Sequence, residues 1–349
     1  MALWLFRAGR AGEYENKFLH DGKLYLTWER INKDLRLIKT KNDLFEALIE
    51  YYPDFKRATI RNWTSQVYPM ANSMKVGDWV ALPSKLKSAI HFGEIKSEYE
   101  FHPEAEELYR HSRKVDWFAK DIPRTNFDQD ILYSLGAAMT VCQISRNNAE
   151  ARIRAMCKNK WKSSKATFIT TEPDSEIESS GLVNLEEYAR DQIAKYIIQK
   201  YKGHGMAVII EAILKAKGYT TYRSPEGPDK GVDILAAPEP FGFGNPRLCV
   251  QVKTGDTPID RPTLDQLLGT MRNFNADQGL LVSWAGFKSS VDKEIPSQFF
   301  SIRLWDQSAI INELLSVYDK LNEDLKAELP LKRIWTLNIP EDEALEEGD

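Results

Sequence analysis

The sequence predicts a two-domain α+β protein: a small β-barrel with inserted helices, followed by a mixed α/β sheet flanked by helices. Three observations predict it. At 349 residues the chain exceeds the length over which one hydrophobic core keeps growing, so two cores are expected. The first half carries many short strand-like runs punctuated by turn pairs, whereas the second alternates strands with helices. Between them lies a polar, Ser/Thr-rich stretch without hydrophobic period. On these grounds the domains are placed at 1–157 and 182–330, with a linker at 158–181 and an acidic tail at 331–349.

Taken in order, Leu3 to Ala8, Lys23 to Trp28, Trp79 to Pro83, His91 to Tyr99 and Lys114 to Phe118 are rich in β-branched or aromatic residues and read as strands. Asp21-Gly22 and Gly77-Asp78 punctuate them as turns. Leu44, Ala47, Leu48 and Tyr51 recur at helical spacing, predicting a helix over Asn42 to Tyr52 behind an Asn or Asp cap; Phe127 to Met139 reads as a second. Lysines crowd around Trp161 within the polar stretch, which reads as a solvated linker ahead of a nucleic-acid contact. Helices over Leu185 to Tyr201 and Gly205 to Lys217 follow, the second stopped by Gly218. Strands then fall at Thr220 to Tyr222, Val232 to Ala236 and Leu248 to Val252. A helix over Arg261 to Asn273, a strand at Gly279 to Ser283, a helix over Phe287 to Glu294, a strand at Ser301 to Trp305 and a helix over Gln307 to Lys326 complete the chain.

Composition excludes several function classes. No apolar run approaches membrane-spanning length, and MALWLFRAGRAGEYENK lacks the apolar core and cleavage site of a secretory signal, so a cytoplasmic location and no membrane partner are expected. Cys142, Cys157 and Cys249 form no CxxC pair and the histidines no ligand-spaced set, which argues against a disulfide framework and a structural zinc. The net charge is -4, yet PEDEALEEGD at the end holds six acidic groups and no basic one, leaving the remainder on the basic side of neutral. Net charge thus neither supports nor excludes a phosphate-rich partner.

The chemistry concentrates in GPDKGVDILAAPEPFGFGNPRLCVQVK, Gly227 to Lys253. Side chains alternate along the second strand, so Gln251 and Lys253 share one face. A hairpin through Pro238, Pro240 and Pro246 folds the preceding strand back and brings Asp233 toward them, with a register that the sequence leaves open. A carboxylate, an amide oxygen and the intervening Val252 carbonyl are hard ligands suited to octahedral magnesium. A lysine beside such an ion orients or helps deprotonate water and offsets charge on an attacked phosphate. Taken singly, Asp233 reads as a turn residue and Lys253 as a strand-edge lysine; the ordered combination carries the inference.

That combination resembles the active site of Mrr-like restriction endonucleases, the branch of the PD-(D/E)xK nucleases in which glutamine replaces the second acid. Asp233 followed by Gln251-Val252-Lys253, the turn Asp229-Lys230-Gly231-Val232-Asp233, Glu211 in GHGMAVIIEAILKAKGY and Gln266 in LDQLLGTMRNFNADQGLLVSWAGF carry the resemblance, over Gly203 to Trp305. It implies a restriction-endonuclease-like fold with Asp233, Gln251, Lys253 and Glu211 as catalytic residues, and Asp233, Glu211 and the Val252 carbonyl as magnesium ligands. Gln266 is implied as a DNA contact, with a helix-surface amide the other reading; Asp229 reads as a turn residue.

The first part, residues 1 to 145, resembles the EVE branch of PUA-like β-barrels in WLFRAGRAGEYE, in Leu26 to Trp28, in MKVGDWVALPS, FGEIKSEYEF and RKVDWFAKDIPR. That fold captures modified bases against aromatic rings. Trp28, ending a strand before Glu29 and Arg30, is the leading base-stacking candidate, followed by Trp117 and Trp4; Arg7, Arg10 and Arg124 are candidate phosphate contacts. The two resemblances together imply a type IV restriction enzyme of phage defence that cuts modified, methylated or hydroxymethylated, double-stranded DNA with Mg2+ as a homodimer or higher oligomer. A repair or junction nuclease, and a sensor that binds modified nucleic acid without cutting it, remain open; retention of Asp233 and Lys253 argues against the sensor.

Overall fold

The computed structural model describes residues 1–137, 139–162, 185–225 and 231–335. Asp229, most of the expected linker and the tail from 336 lie outside the described residues. Two compact units emerge, Met1–Asp191 and Gln192–Trp335. Their division falls inside a helix, Leu185–Lys200, rather than in the polar stretch.

In the first unit, strands β1 (Leu3–Phe6), β2 (Lys23–Tyr25), β3 (Trp79–Pro83), β4 (Ala89–Ile95), β5 (Glu100–Phe101), β6 (His111–Pro123) and β7 (Val141–Gln143) form one seven-stranded sheet. Its order is β2-β6-β4-β3-β1-β7, with β5 on β6; β1 and β3 are parallel and the other pairs antiparallel. Helices α1 (Glu15–Asp21), α2 (Lys41–Tyr51) and α3 (Arg57–Asn72) bury Phe18, Leu44, Leu48, Ile60, Val67 and Met70 with Phe6, Val80 and Leu82 in one core. Helices α4 (Gln129–Leu135) and α5 (Ala149–Lys158) bury Ile131, Leu135, Ile153 and Met156 with Leu3, Leu5, Ile90 and Phe92 in a second. Adjacent residues of β1 thus serve opposite cores, as the two-residue period of a strand dictates. Gly93 is required where β4 crosses β6: a Cβ there would stand 2.4 Å from Val115 Cγ1 and 2.8 Å from Trp117 Cε3.

Four expectations change. The strand path runs from β2 to β7 with no pairing between its ends among the described residues, a curled half-barrel where a small β-barrel was expected. Helix α3 was not anticipated; its buried Ile60, Thr64, Val67 and Met70 have helical spacing, but Pro69 and a polar majority mask it. Trp161, assigned to a solvated linker, stacks on Phe92 at 4.7 Å between ring centroids and 21° between planes. The cap of α2 also sits earlier than expected: Thr40 accepts from Asp43 N while Asp43 accepts from Thr40 N.

In the second unit, β8 (Tyr219–Arg223), β9 (Ile234–Pro238), β10 (Leu248–Lys253), β11 (Gln278–Ser283) and β12 (Ile302–Trp305) lie in the order β12-β11-β10-β9-β8. The β8-β9-β10 pairs are antiparallel and β10-β11-β12 parallel. Helix α6 (Leu185–Lys200) leads to α7 (His204–Ala216), whose Met206, Ile209, Ile210 and Ile213 pack on Ile234, Val250, Leu280 and Val282. Helix α8 (Arg261–Asn273) covers the opposite face, packing Leu264, Leu267 and Met271 against Cys249 and Leu281, with α9 (Ser289–Asp292) beside it. The expected final helix is two: α10 (Gln307–Val317) and α11 (Glu323–Glu328), separated where Asn322 caps the latter by accepting from Leu325 N at 2.9 Å. No helix among the described residues is long and apolar enough to cross a membrane.

Candidate active site

The site forms where a strand ladder stops. The last regular pair between β9 and β10 is Ile234 with Val250, so Asp233 stands level with Gln251, just before β9 begins. Asp233 N donates to Val250 O at 2.9 Å, and its own Oδ2 accepts from Val252 N at 2.8 Å. The Asp233 carboxylate thus contacts the residue between Gln251 and Lys253. Because a strand residue directs its N–H and C=O to the same edge, the Val252 carbonyl also faces the side on which β9 has ended.

Gln251 is 0% exposed, and its Oε1 has no hydrogen-bond partner. Its Nε2 donates to Gln266 Oε1 at 3.5 Å, which brings the amide of α8 to the site. Gln266 also lies against the Asp233 turn: a Cβ on Gly231 would be 3.3 Å from Gln266 Nε2 and from Thr270 Oγ1. Lys253 ends β10 with an exposed side chain, its backbone pinned to β11 by Trp284 N donating to Lys253 O at 3.0 Å. The loop beyond is tied to the start of α7, where Gly203 N donates to Thr254 Oγ1 at 3.0 Å and Lys202 Nζ lies 3.3 Å from Asp256. The anchor at Thr254 was missed in the sequence; its signal was a hydroxyl next to the lysine, too common to single out.

An unpartnered buried acceptor is costly unless something supplies it a partner. The donor set of Asp233 carboxylate, Gln251 amide oxygen and Val252 carbonyl is all oxygen and carries one negative charge, which fits a hard divalent cation better than zinc. No three His, Cys, Asp or Glu side chains cluster as a metal site among the described residues.

Profile comparison decides the class. Residues 198–314 match the Mrr catalytic family, described as a restriction endonuclease, and residues 4–144 match a family described as a domain of unknown function (DUF8426). The carboxy-terminal unit is a restriction endonuclease domain. No curated protein matches the sequence. Among solved structures, the chain is similar to the DNA modification-dependent restriction endonuclease AspBHI at 11% identity and TM-score 0.34, over 72% of this chain and 67% of that one. It is also similar to MspJI restriction endonuclease in complex with a 27-mer oligonucleotide, at 13% identity and TM-score 0.31 over 83% and 69%. A protein of unknown function, AF1548, matches at 13% identity and TM-score 0.27, over 36% of this chain and 78% of that one.

Other sequence candidates are placed differently by the endonuclease structure. The Glu211 carboxylate accepts from Thr221 Oγ1 at 2.9 Å and pairs with Lys215 at 2.9 Å and Arg223 at 3.4 Å. Burial pushes that carboxyl up, but the Lys215 and Thr221 hydrogen bonds and the Arg223 charge outweigh it and hold the pKa below the ordinary value. Trp4 and Trp117 are 4% and 8% exposed, with indole N–H groups already given to Asp78 Oδ2 at 3.1 Å and Phe18 O at 3.0 Å, so neither ring is open to a base. Trp28 is half-buried against the same core. Arg124 is buried, bidentate to Asp191 at 2.7 and 2.6 Å, with Nη1 2.8 Å from Glu187. Arg7 is buried too, donating to Ala137 O at 2.8 Å. Burial takes both guanidinium groups away from the surface, and that of Arg124 is held by two carboxylates.

Proposed function

We propose that this restriction endonuclease cuts double-stranded DNA bearing modified bases, using magnesium, with the amino-terminal unit reading the modification. The observation that carries the catalytic half is the Asp233 carboxylate bonded to Val252 N at 2.8 Å, beside a Gln251 oxygen that is buried without a partner. Asp233, the Val252 carbonyl and Gln251 would hold the metal. When bound, magnesium supplies Lewis acidity at the phosphate and acidifies a water. The Lys253 ammonium orients the attacking water and neutralises charge growing on the phosphate. Glu211 assists as a second carboxylate only once it leaves Arg223 and Lys215.

The amino-terminal unit is read as an EVE-type, PUA-like module, supported by the sequence motifs and by Trp28, the one candidate ring not enclosed by the core. Gln266 is read as facing DNA as well as Gln251, since its side chain is exposed. Cutting both strands requires two sites, hence a homodimer or larger assembly. The test is to incubate wild type and Lys253→Ala with phage DNAs that differ only in base modification, with and without magnesium. Metal-dependent fragmentation of modified DNA by wild type alone is expected. Cutting of branched, unmodified DNA would favour a junction nuclease, and binding without cutting a sensor.

A further inference from the structure

The hairpin joining β9 to β10 carries two phenylalanines into solvent. Phe241 is 81% exposed and Phe243 77%, and their rings lie 17° from parallel with centroids 6.4 Å apart. The tip is held in this form. Thr220 Oγ1 donates to Glu239 O at 2.8 Å and Pro240 O at 3.2 Å, and Gly242 N donates to Glu239 O at 3.1 Å. Gly242 has φ +70, and a Cβ on it would press on Thr220 Cγ2 at 3.3 Å. At the far side of the loop, Arg247 N donates to Asp277 Oδ2 at 2.8 Å. An ordered turn therefore keeps two large apolar rings wet, which is unfavourable unless a ligand covers them.

A second aromatic pair shares this end of the sheet. Because β10 and β12 run parallel through β11, Phe299 and Phe300, which precede β12, lie at the same end as the hairpin tip, opposite Lys253. Phe300 is exposed, and the Arg303 guanidinium sits 4.7 Å over the Phe299 ring. Two strand steps, roughly 10 Å, separate the pairs. Arg247 and Arg303 are both exposed.

The two rings, near-parallel and with centroids 6.4 Å apart, offer π-faces to solvent on one short turn. We propose that Phe241 and Phe243 form a stacking site for an unpaired base of a nucleic-acid strand, with Arg247, Phe299 and Arg303 receiving the neighbouring phosphates and bases. Apolar rings alone would suit a protein partner as well; the exposed Arg303 over Phe299 and the exposed Arg247 at the base of the hairpin favour a polyanion that also presents flat π-faces. The inference rests on the reading that this unit handles DNA.

The test is metal-free binding of a single-stranded oligonucleotide containing 2-aminopurine, with the double variants Phe241→Ala/Phe243→Ala, Phe241→Leu/Phe243→Leu and Phe241→Trp/Phe243→Trp. The Ala and Leu pairs are expected to weaken binding at least about 10-fold and to abolish 2-aminopurine quenching, whereas the Trp pair retains both. The Leu pair keeps the apolar surface, so it separates stacking from burial. Unchanged affinity and quenching in the Ala pair overturn the proposal. So does a fall in oligomeric mass with single-strand binding intact, which would make the tip a self-association surface. Magnesium-dependent cutting of intact duplex is followed in parallel: if wild type does not cut, the nuclease reading fails, whereas cutting with unaltered single-strand binding by the Ala pair sinks the stacking site alone.

Discussion

The two units treat their polar candidates in opposite ways. In the carboxy-terminal unit, Gln251 keeps a buried oxygen without a partner and Lys253 stays exposed. In the amino-terminal unit, Arg124 gives Nε and Nη2 to Asp191, and Trp4 and Trp117 give their indole N–H groups to Asp78 and Phe18, all three side chains being buried. A site is recognisable by unsatisfied chemistry, whereas an arginine or tryptophan of suitable type that is fully satisfied is scaffold. Four experiments break or sharpen that contrast.

The largest effect is expected at Lys253. Replacing it with Ala should lower the cleavage rate about 10³-fold while DNA affinity stays near wild type; a parallel loss of both in filter-binding and cleavage assays would make Lys253 a mere phosphate contact. Arg124→Ala should instead destabilise the fold by about 3–5 kcal/mol, because it strands Asp191 in a dry environment, while Glu187 keeps Arg7 and Lys85. Denaturant unfolding measures this, and weaker DNA binding without loss of stability would return Arg124 to the interface. Trp4→Phe removes the indole bond to Asp78, which still accepts from Ala2 N and Lys75 N. A cost of about 1–2 kcal/mol is expected with no change in preference for modified DNA; a lost preference would place the base pocket at Trp4 after all.

Glu211 gives the smallest effect, through pH. Its folded pKa is depressed below 4.5, so its contribution is fully present above the unfolded value and disappears as pH falls through the folded one. With partners as exposed as Lys215, that contribution should stay under about 1 kcal/mol. Acid titration of stability should therefore be slightly shallower in Glu211→Gln than in wild type, below about pH 4.5. An identical slope would mean that Lys215 and Arg223 do not hold this carboxylate in solution.

Order and spacing made the second unit legible. The alternation in β10 placed Gln251 and Lys253 on one face, and the proline-rich hairpin put Asp233 alongside, because strands have a fixed two-residue period and few ways to turn back. Register was not readable, since it depends on where β9 stops. The partners of Glu211 were hidden for a related reason: helix spacing shows that a carboxylate is partly buried, but Thr221 and Arg223 reach it from a strand that local sequence cannot align. In the first unit, aromatic and basic residues were visible as types only. Whether Trp117 lines a pocket or a core depends on the crossing of β4 and β6, and Trp161 on a long-range contact with Phe92. Helix α3 stayed hidden because Pro69 and its polar residues obscure a stripe that packing alone reveals.

Gly231 bears on all of this. With φ at +85, it bends the chain away from the extended path two residues before Asp233, so the β9 edge cannot zip further along β10. Were that stretch to become regular strand, its own amides would take over the edge of Val252 and leave no room for an ion. Reactivity here is bought by interrupted pairing, and a residue with a Cβ at 231, strained by its dihedral and crowding Gln266 and Thr270, is expected to put the nuclease out of action while every metal-holding group keeps its identity.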